Sequence, residues 1–251
     1  MAFDSLVDAA SAVFVFGSLV VLALIMRLRI DGLRLIYEIS LPVGLVGFLI
    51  GVISMLAAES DPGQIAPALA IAVLTIVYSG IVRILLIETE SLALPTELSN
   101  AAKMLSSAGI LAFIGWAMAW VTEGDVAVYW YPQVMLLLVG FALLVFLVSR
   151  AVSAHHQTGW AAKVMNIGWL GFSFGVVAGL PHLDSPQSMG PAIAFSFSSL
   201  LYALIAIVVG LIWAPSTMAD RNGALTLGLG FAATVTVSVV AILAVLVSVL
   251  P

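Results

Sequence analysis

Apolar runs of about 20 residues, each closed by a short polar cluster, recur along this sequence, and that is the length a helix needs to cross a hydrocarbon core. A soluble core could not absorb them. Of the 251 residues 63% are hydrophobic and only 8% are charged, against roughly 25% charged in an ordinary soluble domain. The expectation is an all-α polytopic membrane protein, nearly all of it in or against the lipid bilayer. Eight candidate spans follow: Ala10 to Met26, Ile39 to Ala57, Ala66 to Ile87, Met104 to Val121, Gln133 to Ser149, Val164 to Leu180, Pro191 to Trp213, and Ala224 to Val249. The N-terminus carries Asp4 and Asp8 where a removable signal peptide would carry basic residues, so the first span is read as a permanent anchor.

Charge sets the orientation. Cytoplasmic loops are enriched in Lys and Arg, and here Arg27, Arg29, Arg34, Arg83, Lys103, Arg150, Lys163 and Arg221 all fall on one side of the eight-span arrangement. The opposite loops carry Glu59, Asp61, Glu123, Asp125 and Asp184 and no Lys or Arg, which places both termini outside the cytoplasm. Tyr129, Trp130 and Tyr131, just before the fifth span, fit a headgroup boundary. There is no Cys, so disulfides, thiolate metal sites and Cys nucleophiles are excluded. Eight scattered bases form no stripe for nucleic acid. No nucleophile motif, phosphate loop or HExxH pattern appears, so the chain is not expected to be an enzyme or to need a cofactor. The pair His155 and His156 lacks a third ligand and reads as a loop feature, not a metal site.

The chain also matches itself. Gly44 to Arg83 aligns without gaps onto Gly168 to Ile207 at a constant offset of 124 residues, pairing Gly44, Gly47, Gly51, Pro62, Pro67 and Tyr78 with Gly168, Gly171, Gly175, Pro186, Pro191 and Tyr202. Tandem duplication of a four-helix unit is expected, with units 1–125 and 126–251. Four spans is an even number, so the repeats are parallel. Gly44, Gly47 and Gly51 in the second span, and Gly168, Gly171, Gly175 and Gly179 in the sixth, recur at three- and four-residue spacing and line one helical face for close packing. Pro62, Pro67, Pro186 and Pro191 mark the turns and the starts of the third and seventh spans, with Pro67 and Pro191 expected at the helix starts themselves. Those spans carry rows of hydroxyls, Thr75, Tyr78 and Ser79 in one and Ser196, Ser198, Ser199 and Tyr202 in the other. They read either as packing and back-bonding groups or as a candidate ion path.

The stretch Gly47 to Leu56, followed by Asp61-Pro62-Gly63 and the run to Tyr78, resembles the last two membrane helices of the flagellar stator subunit MotA and its TolQ and ExbB relatives. Gly171 to Tyr202, with Gly190-Pro191-Ala192, resembles the same element. The resemblance implies a bacterial inner-membrane subunit of a proton- or sodium-driven complex. Such subunits assemble as homo-oligomers around a single-span partner of the MotB, TolR or ExbD kind, whose Asp binds the ion. The sequence departs from the family at Phe48 and Phe172, where a Thr is common, and in lacking a large cytoplasmic region that would act on a rotor. A non-conducting scaffold of the same fold, and a small-molecule transporter built from parallel repeats, are the alternatives.

Overall fold

A computed structural model describes residues 8–26, 30–58, 62–91, 98–151, 159–179 and 186–213. These residues are helical almost throughout and contain no strand. Seven helices run in chain order: α1 (Ala9–Ile25), α2 (Ile30–Ala58), α3 (Pro62–Leu85), α4 (Asn100–Val121), α5 (Pro132–Ala151), α6 (Trp160–Gly179) and α7 (Pro186–Trp213). Short 3-10 turns follow α3 at Ile87–Ser91 and precede α5 at Val126–Tyr129. Five stretches are long and apolar enough to cross a membrane: Gly32–Leu56, Asn100–Val121, Val126–Val145, Trp160–Ala178 and Ile193–Trp213. In a bilayer backbone polar groups must be satisfied internally, and a helix does this along its length except at its ends and opposite an interior proline such as Pro42 of α2. α1 has 17 residues, a length of about 26 Å. The eighth expected span, Ala224 to Val249, lies outside the described residues, as do His155 and His156.

Local signals account for the helix ends. Asp8 caps α1 by accepting the Ser11 N–H at 2.6 Å, and Ser99 caps α4 by accepting that of Ala102 at 3.2 Å, each filling one donor that the first turn leaves open. α4 ends in a left-handed turn. The Gly124 N–H reaches the Ala119 carbonyl at 2.8 Å and the Glu123 N–H reaches Trp120 at 3.4 Å, with φ of 52° at Glu123 and 99° at Gly124. This is the Schellman pattern with a non-glycine at its left-handed position.

α2 starts at Ile30, earlier than the Ile39 expected from hydropathy. The polar stretch before Ile39 is helical, and an i,i+4 pair stabilises it: Arg34 Nη2 lies 2.5 Å from Glu38 Oε1. The third and seventh spans also differ from expectation. α3 begins at Pro62 and α7 at Pro186, so Pro67 and Pro191 lie inside the helices and not at their starts. A proline at the first helical position has no intrahelical N–H partner to lose, which makes Pro62 and Pro186 the better initiators.

α2 is the axis of the bundle. It packs against α3 and α7 above all, and also against α1 and α4. Ile39, Val43, Val46, Phe48, Leu49, Val52 and Ile53 are all buried along it. α6 packs against α7 as extensively as α2 does against α3. α4 lies on α1, and α5 on α6 and α7.

Candidate functional site

Each of the two principal helix pairs closes on a seam of glycines. A methyl group placed on Gly51 would stand 2.7 Å from Ala72 Cβ, and one on Gly47 would stand 2.9 Å from Thr75 Cγ2. A methyl on Gly44 would overlap the Ser79 side chain and stand 2.9 Å from the Thr75 carbonyl. In the second pair, Gly175 meets Ser196 Cα at 2.6 Å, Gly171 meets Ser199 Oγ at 2.7 Å and Gly168 meets Ala203 Cβ at 2.6 Å, on the same measure. All three contacts of α2 with α3 therefore recur between α6 and α7 at the offset of 124. The helix before each pair takes part at the same offset, since Phe14 of α1 reaches Gly47 and Leu138 of α5 reaches Gly171. Apolar attraction between helices is weak in lipid, so close backbone approach over small residues supplies much of their association.

The hydroxyls of the candidate ion path lie in or beside these seams. Thr75 Oγ1 is 2.8 Å from the Ala72 carbonyl and 2.9 Å from the Gly44 carbonyl, a shared bond that ties α3 to α2. Ser79 donates to Ile76 O at 2.8 Å and Ser198 to Ala194 O at 3.0 Å, both within their own helices. Ser196 and Ser199 are buried opposite Gly175 and Gly171. The two tyrosines act at a longer range. Tyr78 Oη accepts the Asp8 N–H at 3.1 Å, and Tyr202 Oη accepts the Tyr131 N–H at 3.0 Å. Tyr202 also donates to the Tyr129 carbonyl. Each tyrosine thus holds the beginning of another helix, Tyr78 that of α1 and Tyr202 that of α5.

Several contacts had no clear signal in the sequence. Tyr129 is buried, unlike the exposed Trp130 beside it; its hydroxyl lies 2.5 Å from Ser54 Oγ and 3.1 Å from the Ile50 carbonyl of α2. The expected aromatic belt is therefore split, with Tyr129 pinned inward. Arg83, near the end of α3, stacks its guanidinium 4.3 Å from the centre of the Tyr37 ring, a cation–π contact. Its mate at the offset of 124 is Ile207, so it belongs to one half only. Trp213 Nε1 donates to Ser107 Oγ at 3.0 Å, joining α7 to α4.

Along the chain, the Asp, Glu, Lys and Arg residues of the described helices fall toward helix ends: Asp31, Arg34 and Glu38 in α2, Arg83 in α3, Lys103 in α4, Arg150 in α5 and Lys163 in α6. No group of three His, Asp or Glu residues converges as a metal site among the described residues. The glycine seams pack helices, and the hydroxyls form bonds that fix one helix to another or to itself. Comparison of the chain with protein-family models, with curated proteins and with solved structures gave no match.

Proposed function

We propose that this all-helical membrane protein is a subunit of an ion-motive-force-dependent complex of the MotA/TolQ/ExbB kind, formed by tandem duplication of a four-helix unit. In this reading it has eight spans, both termini are extracytoplasmic, and it resides in a bacterial inner membrane. It surrounds a single-span partner that carries the ion-binding Asp. The observation that carries the reading is the doubled glycine seam: two outward-and-return helix pairs repeat three close contacts, a supporting contact from the preceding helix and a tyrosine tie. The absence of a mid-helix ionisable group among the described residues supports a division of labour in which this chain supplies walls and the partner supplies the proton or sodium site.

One observation favours a second reading, a non-conducting scaffold of the same architecture. Thr75, a hydroxyl of the candidate ion path, is engaged by two carbonyls. Purification in gentle detergent followed by intact-complex mass spectrometry tests the partner. A single-span protein with a membrane Asp is expected, and recovery of this chain alone would sink the motor reading. Thr75→Val then separates conductor from scaffold, because it keeps the shape and removes the hydroxyl. A conductor loses ion-dependent activity well beyond its change in stability, whereas a scaffold loses only stability.

A further inference from the structure

Arg83 is held in a fixed position without a carboxylate to hold it. Its guanidinium lies 4.3 Å from the centre of the Tyr37 ring, and the Arg34 guanidinium lies 5.4 Å from the same centre. Tyr37 is buried, so the Arg83 side chain is turned back onto the helix pair, where a snorkelling arginine would instead extend along its stem toward water. Arg34 has Glu38 beside it at 2.5 Å, whereas no carboxylate pairs with Arg83 among the described residues. Two positive charges thus share one ring, and an acid accompanies only the first.

The other glycine-seamed pair shows that packing alone does not ask for these charges. At the offset of 124, Tyr37, Glu38 and Arg83 correspond to Ala161, Ala162 and Ile207, all three of them buried. There the same end of the pair closes on small and branched apolar side chains, with the Trp160 ring against Gly210. Arg83 also stands at a boundary. It lies in the last turn of α3, and beside it Ile84 and Leu85 are 71% and 75% exposed. In a chain whose helices are long and apolar enough to cross a membrane, a guanidinium next to such groups stands where a phospholipid's phosphate gives way to its acyl chains.

We propose that Arg83, with the charge of Arg34 beside it, binds the phosphate of one anionic phospholipid at this end of α2 and α3. A guanidinium presents a planar fork that suits phosphate oxygens. Stacking on Tyr37 fixes the fork before the lipid arrives, so less freedom is lost on binding. A phosphate diester carries a single negative charge, enough for the one guanidinium that has no acid. The occupant is a lipid because its chains already lie in the membrane beside Ile84 and Leu85, whereas a soluble anion would have to leave water for an apolar surround. Basic groups between membrane helices recognise anionic headgroups on this principle. The site rests on the chain's crossing a bilayer and not on ion coupling, so it stands or falls separately from the motor reading.

The test is native mass spectrometry of the full chain released from detergent micelles, titrated with dioleoylphosphatidylglycerol or with zwitterionic dioleoylphosphatidylcholine. The wild type is expected to retain one phosphatidylglycerol per chain at concentrations where it retains no phosphatidylcholine. Arg83→Ile, which copies the residue found at the offset of 124, is expected to bind phosphatidylglycerol about tenfold more weakly, the usual scale for a hydrogen bond to a charged group. Arg83→Lys keeps the charge without the fork and is expected to fall between the two. Equal retention of both lipids by the wild type, or an unchanged affinity in Arg83→Ile, would reduce Arg83 to a snorkelling side chain and overturn the proposal. Retention of neither lipid would mean that protein covers the site, and displacement of the lipid by excess sodium phosphate would make it a site for a soluble anion; each also overturns it. Should Arg83→Ile not fold, Arg83→Gln takes its place, and a wild type that does not choose between the two lipids sinks the proposal by itself.

Discussion

At Gly51 a single hydrogen atom sets how near α2 lies to α3. Adding a methyl there brings it within 2.7 Å of Ala72 Cβ, closer than packed carbons tolerate, so the helices must separate. Gly51→Ala is expected to cost about 1–3 kcal/mol, the usual range for overpacking, read as a lowered midpoint of thermal unfolding in detergent. Gly115, on α4, has no atom within 4 Å of the same added methyl. Gly115→Ala is expected to stabilise by about 0.5–1 kcal/mol through helix propensity in the same assay. Glu123, held at φ of 52° in the turn after α4, gives a third case. Glu123→Gly should raise the unfolding midpoint, because a side chain costs about 1–2 kcal/mol in that left-handed conformation. The glycine face was legible from spacing alone, because three- and four-residue steps can only fall on one side of a helix. The atoms across from it were not. Nothing in the order of residues says that Thr75 reaches the Gly44 carbonyl, since that bond depends on the height at which two antiparallel helices meet.

Among the helices, the tyrosines show how an element is placed by a single polar group. Tyr129 leaves the turn before α5 and inserts its hydroxyl between Ser54 and the Ile50 carbonyl of α2, joining the boundary of the two halves to the central helix. Tyr129→Phe and Ser54→Ala, made singly and together, should show a coupling of about 1 kcal/mol in a double-mutant cycle of unfolding free energies. Additive effects would mean that the two hydroxyls do not act on each other. Hydropathy located α1 and α3 to α7 to within a few residues. It missed the first two turns of α2, because Asp31, Arg34 and Glu38 lower the mean hydropathy there although the Arg34–Glu38 pair satisfies its own charges. It also put the helix starts at Pro67 and Pro191, since the polar turns before Pro62 and Pro186 blur into the first helical turn. The burial of Tyr129 had no sequence signal, because its neighbours Trp130 and Tyr131 make all three look like boundary residues.

For the whole chain, the one-sided placement of Lys and Arg makes a topology that a Cys-free background can test. A membrane-impermeant maleimide applied to intact cells should label Ser60→Cys and leave Glu97→Cys and Gln157→Cys unlabelled until the cells are opened. The reverse pattern would invert the proposed orientation. The offset of 124 was legible because Gly, Pro and Tyr recur at one spacing, and three close helix contacts recur at the same offset in the structure. How the two halves meet was not legible, since a repeat gives each unit the same surfaces without saying which surface is used. The seams have a mechanical consequence. Within each pair the backbones touch with almost no side chain between them, so neither helix can slide along its mate without lifting over it, and each pair behaves as one stiff lever. Between the pairs, α2 packs on α7, and both helices bury leucine, isoleucine, valine and phenylalanine side chains, which can change rotamer and tolerate small shifts. Movement in this protein is therefore expected as one lever pivoting on the other, with distances between spin labels held constant within a pair and broadened across the joint.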